Sequence, residues 1–298
     1  MSWINVHRFA LNENLSALIN ALNSQHIPCK IIEYGGMQVL QVPNETFAVA
    51  ARTLIAQWQA GTLQIAEADP SLVPPAHGPS LTAELWRFPV TLVLLVLSIT
   101  GFVLAEFAAL ESLALMLTFF TVLPANDGFY ILPIEQGIGS GQLWRLITPA
   151  FLHFGVLHIV FNGLWLWELG RRVEFAVGRL LYLLFFLITA AFSNLAQYFW
   201  QAEPAFFGGM SGVVYALVGY IAIYQRFYSH PALNVPPGII VFMLAWLVLC
   251  LSGIIDAFID GGIANGAHVG GLVAGALLGL LAVFFTAKNK QSQENHHE

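Results

Sequence analysis

Four side chains in an otherwise apolar chain are of types that together perform acyl transfer: His158, Asn162, Ser211 and His268. A serine hydroxyl is a weak nucleophile until a base takes its proton, and His268 is the natural base. Ser211 lies in the run Gly208-Gly209-Met210-Ser211-Gly212, which reads as the opening of a helix. Glycines let the backbone approach a ligand closely, and free N–H groups at a helix start favour developing negative charge. The Ser211 N–H is one donor for a tetrahedral oxyanion. His158 and Asn162, four apart and so on one helix face, supply two more. No carboxylate is expected at this depth to orient His268, so the pattern indicates a Ser–His dyad rather than a triad. Tyr215, one turn after Ser211, reads as a packing partner of the pair.

These groups need helices to hold them at one level. His268, Gly271 and Gly275 fall at i, i+3 and i+7, a small-residue face that lets one helix press against that of Ser211. The chain has 298 residues, 57% apolar and only 9% charged. That charged share is roughly a third of what a soluble domain carries, which excludes a disordered chain or an ordinary soluble enzyme. The net charge of −6 offers no basic surface to nucleic acid. A bilayer crossing takes about 20 apolar residues, and six stretches qualify: 88–105, 148–167, 180–200, 204–225, 236–255 and 266–285. Residues 107–123 are expected to form an interfacial helix between the first two. On this count Ser211 sits about a turn and a half into the fourth span, with His158 and His268 at a similar depth.

Positive charge sets the topology. With the N-terminus cytoplasmic, ten of the eleven Lys and Arg residues fall inside and only Arg145 falls outside, so both termini are expected in the cytoplasm. Residues 1–65 read differently, in the order β-α-β-β-α of a small α+β module, with a hairpin turn at Tyr34-Gly35-Gly36 and Asn44 capping the second helix. A proline-rich linker is expected over 66–87, the helical domain over 88–286 and a polar tail over 287–298. Cys29 and Cys250 lie in different domains, so no disulfide is expected. The first residues lack the basic and apolar regions of a cleavable signal peptide.

The runs Trp144-Arg145, His158-Ile-Val-Phe-Asn162, Gly209-Met-Ser211-Gly and Ala267-His268-Val-Gly-Gly271 resemble the rhomboid intramembrane serine proteases in their bacterial form. The resemblance covers nearly the whole chain. It implies an all-α polytopic protein of six spans behind a small α+β cytoplasmic domain, in a bacterial inner membrane. It implies Ser211 as nucleophile, His268 as base, and an oxyanion hole of His158, Asn162 and the amides of Ser211 and Met210. Trp144, Arg145 and Glu174 resemble positions that hold the long first loop in shape, which accounts for the lone outside arginine. Phe161 and Trp246 resemble a bulky pair closing a lateral gate whose helix starts at Pro236-Pro237-Gly238. Transmembrane proteins are the implied substrates, membrane lipid the surroundings, and no cofactor is required.

Rival readings fit less well. Zinc hydrolysis lacks an HExxH run, and His153 and His158, five apart, are expected about 140° apart on a helix, unable to share a metal. An aspartyl protease needs acids deep in two spans, whereas Asp127, Asp256 and Asp260 fall in outside loops. A transporter would show charged pathway residues or repeats. A non-catalytic, chaperone-like binder of membrane helices would lack the serine or the histidine, and both are present.

Overall fold

The protein is described by a computed structural model covering residues 3–34, 36–63, 85–125, 128–257 and 262–294. Two compact units divide the chain, one over Met1–Ser80 and one over Leu81–Glu298.

The first unit runs β1 (Ile4–Ala10), α1 (Ser16–Ser24), β2 (Lys30–Tyr34), β3 (Met37–Val42) and α2 (Glu45–Gln59). Its antiparallel sheet has the order β1-β3-β2, with Tyr34 opposite Met37 where β2 and β3 turn back. Alternation along the strands sends Phe9, Leu40 and Val42 against Leu18 and Leu22 of α1 and Leu54 and Ile55 of α2. Asn44 caps α2, its side-chain oxygen accepting from the Phe47 N–H at 3.0 Å. Gly35 of the expected hairpin turn and residues 64–84, most of the expected linker, lie outside the described residues.

The second unit is helical, with α3 (Pro89–Glu106), α4 (Glu111–Leu117), a hairpin of β4 (Val122–Ala125) and β5 (Gly128–Ile131), then α5 (Val156–Trp165). A π turn at Leu166–Gly170 joins α5 to α6 (Arg171–Val177). Next come α7 (Arg179–Trp200), α8 (Ser211–Phe227), α9 (Pro237–Leu251) and α10 (Asn265–Glu294). Every residue of α8 from Gly212 to Ile221 is buried, making it the central helix. A Cβ at Gly271 would collide with the Gly212 carbonyl, and one at Gly275 with that of Ala216. Only bare backbone lets α10 lie this close to α8, as the small-residue face predicts.

Among the described residues, three helices are long and apolar enough to cross a membrane: Pro89–Glu106, Arg179–Trp200 and Asn265–Lys288. The other expected spans are shorter helices with non-helical starts. In the second, Thr148 precedes Pro149 and Gly155 adopts φ 93°, so α5 begins only at Val156. In the fourth, Pro204 and the positive φ of Gly209 keep 204–209 out of the helix. Ser211 is therefore the first residue of α8 rather than a turn and a half inside a helix. The helix expected over 107–123 stops at Leu117, because Phe119 and Phe120 turn in against Tyr198 and Phe207. At the other end α10 continues through the expected start of the tail to Glu294. The remaining tail residues, 295–298, lie outside the described residues.

Candidate active site

His268 enters from the first turn of α10 and Ser211 from the first residue of α8, because Gly271 and Gly212 bring the two helices together just beyond them. His268 Nε2 lies 2.8 Å from Ser211 Oγ, a hydrogen bond in which the hydroxyl is the donor when the imidazole carries its proton on Nδ1. The imidazole is 7% exposed, and its Nδ1 has no hydrogen-bond partner. In place of a carboxylate, the Tyr215 ring holds it by contact, with centroids 4.9 Å apart and planes tilted by 42°. Tyr215 is itself anchored by its hydroxyl, which donates to the Met243 carbonyl of α9 at 3.2 Å.

His158 and Asn162 sit on one face of α5 and both point at Gly209. A Cβ added there would lie 2.7 Å from His158 Nε2 and 3.6 Å from Asn162 Nδ2. The Phe154 N–H donates to His158 Nδ1 at 3.4 Å. That bond selects the neutral tautomer whose proton is on Nε2, so the His158 N–H is directed at Gly209, two residues before Ser211. As the first residue of α8, Ser211 contributes an N–H that has no intrahelical acceptor.

Met210 departs from the expected arrangement. Its N–H donates to His153 Nε2 at 3.2 Å and is not free to serve an oxyanion. His153 Nδ1 in turn donates to the Phe151 carbonyl at 2.9 Å. The expected 140° between His153 and His158 also fails, because residue 153 precedes the helix. Their rings lie 5.0 Å apart, edge to face. Among the described residues, no group of three or more His, Cys, Asp and Glu side chains is placed to hold a metal.

The first loop is organised around Arg145, which is buried. Its guanidinium donates to the carbonyls of Leu115, Thr118 and Phe120 at 3.1, 2.6 and 3.1 Å and to Gln142 Oε1 at 2.7 Å. Burial lowers the pKa of this group from its ordinary value, and the ring of acceptors stabilises the cation. Trp144 adds a bond from its indole N–H to the Met116 carbonyl. Glu174 has no part in this loop. Its carboxylate accepts from the Val90 and Thr91 N–H groups and the Thr91 hydroxyl at 3.0, 2.8 and 2.7 Å, capping the start of α3. On α5 and α9, Phe161 and Trp246 meet with ring centres 5.7 Å apart, and Trp165 meets Phe242 at 6.0 Å.

Sequence reasoning missed two further supports besides His153. Gln197 of α7 accepts the Ala267 N–H, next to His268, at 3.1 Å, and Asn194 donates to the Leu146 carbonyl beside Arg145 at 2.8 Å. Their only signal was polarity in an apolar helix, at a three-residue spacing that puts both on one face.

Comparison with known proteins matches this architecture. A Rhomboid domain model matches residues 140–284, and a Rhomboid N-terminal domain model matches residues 1–69. Rhomboid protease GlpG of Pectobacterium atrosepticum is 35% identical over 239 residues, covering 80% of this chain and 76% of that protein. Rhomboid protease GlpG of Serratia proteamaculans is 36% identical over 206 residues, covering 69% and 66%. Helices of membrane-spanning length around a half-buried serine and a buried histidine, with this likeness, thus define an intramembrane serine protease of a bacterial membrane. The chain belongs to the rhomboid family.

Proposed function

We propose that this protease cleaves a peptide bond in or near a transmembrane segment by a Ser211–His268 dyad, through an acyl-enzyme. The observation that carries the proposal is the 2.8 Å hydrogen bond between His268 Nε2 and Ser211 Oγ. As Oγ attacks the substrate carbonyl carbon, its proton passes to Nε2 and the carbonyl oxygen takes the negative charge. The His158 Nε2–H, the Asn162 side-chain amide and the Ser211 N–H stabilise that oxygen. The tetrahedral adduct collapses when His268 returns the proton to the leaving amine. Water, activated by the same imidazole, then releases the acyl group and restores the hydroxyl.

Six hydrophobic passes with both termini in the cytoplasm put this level near the outer surface, open to water from outside. A substrate helix reaches it from the side, between α5 and α9. The shallow seat of α9, with only Met243, Leu247 and Cys250 buried, supports that route.

The test is Ser211→Ala in the purified full-length protein. Cleavage of a model membrane substrate should disappear, with inserted protein and melting behaviour unchanged. A fluorophosphonate should label wild type at Ser211 and should not label His268→Ala. Cleavage persisting at the wild-type rate in Ser211→Ala would overturn the dyad. Failure of wild type itself to cleave would favour the non-catalytic helix binder.

A further inference from the structure

Two buried polar atoms on the first turn of α10 have no hydrogen-bond partner among the described residues, and they are complementary. One is His268 Nδ1 and the other is Asn265 Oδ1. Residues three apart on a helix are neighbours, with Cβ atoms about 5–6 Å apart. The Asn265 side chain is oriented by its other end, where Nδ2 donates to the Cys250 carbonyl of α9 at 3.3 Å. A carbonyl only accepts, so the group facing Cys250 is the amide nitrogen, and Oδ1 is the end left to accept. Among the described residues this is the only buried side-chain carbonyl oxygen without a partner. Leaving such a group unpaired costs more than a made hydrogen bond contributes.

The base needs an acceptor at that nitrogen. The 2.8 Å contact of His268 Nε2 with Ser211 Oγ fits a proton on either ring nitrogen, and only a proton on Nδ1 leaves Nε2 as a base. The Tyr215 ring, 4.9 Å away, fixes the plane of the imidazole but cannot choose between the tautomers. An acceptor at Nδ1 does choose. It also stabilises the imidazolium that forms when the serine proton arrives, which is the part a carboxylate takes in a triad.

We propose that Asn265 is a positioning residue for the base, its Oδ1 holding the His268 Nδ1–H through one bridging water. Two hydrogen bonds of about 2.8 Å meeting at one oxygen span roughly 4.5 Å, the reach that a three-residue helical spacing asks for. Buried waters bind where otherwise unsatisfied polar groups converge. The Nδ1 proton stays on the ring throughout the cycle, as it does in a triad. The inference rests on the Ser211–His268 dyad and gives that dyad a third, uncharged member. Because Nδ2 holds a carbonyl near the end of α9, the same side chain joins the base to the helix that carries Trp246.

The test compares Asn265→Leu and Asn265→Asp with wild type, as full-length protein in detergent. Fluorophosphonate labelling at Ser211 is timed, and kcat and KM are measured on a model membrane substrate. The His268 Nδ1–H resonance is followed in proton–nitrogen spectra of histidine-labelled protein, assigned by its loss in His268→Ala. Asn265→Leu removes the acceptor at similar size. Its labelling rate and kcat should each fall about tenfold or more, the usual effect of losing a hydrogen bond to a group that gains charge, with KM little changed. The Nδ1–H resonance should move upfield with them. Asn265→Asp keeps an oxygen facing the ring and should recover most of both rates. Wild-type labelling and turnover by Asn265→Leu would overturn the proposal. So would slowed turnover with the resonance unmoved, since Asn265 would then act only by anchoring the Cys250 carbonyl. A wild-type resonance at the position of an unbonded imidazole N–H would overturn it without any variant. Failure of the dyad reads differently, because fluorophosphonate would then label His268→Ala as fast as wild type.

Discussion

The His153 ring touches both halves of the candidate site, accepting the Met210 N–H through Nε2 at 3.2 Å and packing 5.0 Å from the His158 ring. One fully buried imidazole thus ties the residue before Ser211 to the His158 ring. Its tautomer is fixed by the Phe151 carbonyl, which requires a proton on Nδ1 and leaves Nε2 as the acceptor. His153→Ala should free the Met210 amide and let the 208–211 turn shift. A displacement of about 1 Å at reacting atoms costs on the order of 100-fold. The loss should appear in kcat, and His153→Gln, which keeps an acceptor, should recover part of it. Equal loss in both variants with a matching fall in Tm would reduce His153 to a packing residue.

Donors to the developing oxyanion contribute in the transition state rather than in substrate binding. Removing one typically costs about 10²–10³ in rate. His158→Ala and Asn162→Ala should therefore each lower kcat by that order with little change in KM. A rise in KM alone would reassign them to substrate positioning.

Phe161 and Trp246 join α5 to a helix that is otherwise shallowly seated. An aromatic pair contributes about 0.5–1.5 kcal/mol beyond its buried area, enough to bias a closed state several-fold. Phe161→Ala combined with Trp246→Ala should speed cleavage of a transmembrane substrate severalfold. A soluble peptide reaching Ser211 from the water side should be cut at nearly the wild-type rate. Equal slowing of both substrates would move the entry route to the loop after Ile255.

Glu174 is expected to matter for stability and not for chemistry. Glu174→Ala strands the Val90 and Thr91 amides and the Thr91 hydroxyl in a buried setting, where each unpaired donor costs about 1–3 kcal/mol. Thermal melting should show a lowered Tm, while the folded fraction retains its kcat. An unchanged Tm with a reduced kcat would return Glu174 to the site.

Prolonged chelation should leave proteolysis intact. His153 has both ring nitrogens engaged and His158 has Nδ1 engaged, so a metal bridging the two rings would have to break those bonds. Activity lost to EDTA and restored by zinc would establish such a metal.

The sequence by itself determined which residues are of types suited to the chemistry and roughly where helices lie. Apolar stretches, glycines at i+3 and i+7 and the Asn44 cap are local signals, and helix and cap formation depend on neighbours a few residues away. The β-α-β-β-α order of the first 60 residues was legible for the same reason. What only the tertiary structure decided depends on residues far apart in the chain. Helix starts at Val156 and Ser211 follow from turns held by Pro149 and Gly209, whose N–H donates to the Pro149 carbonyl at 3.0 Å. Hydropathy cannot register such turns, because they are as apolar as the helices they precede. Glu174 looked like a support for the first loop and instead caps a helix start 83 residues earlier in the chain. His153 looked incompatible with His158 because a helical spacing was applied to a residue outside the helix. Buried polar groups take whichever partner the packed chain brings to them, and that choice is made by the fold rather than by spacing.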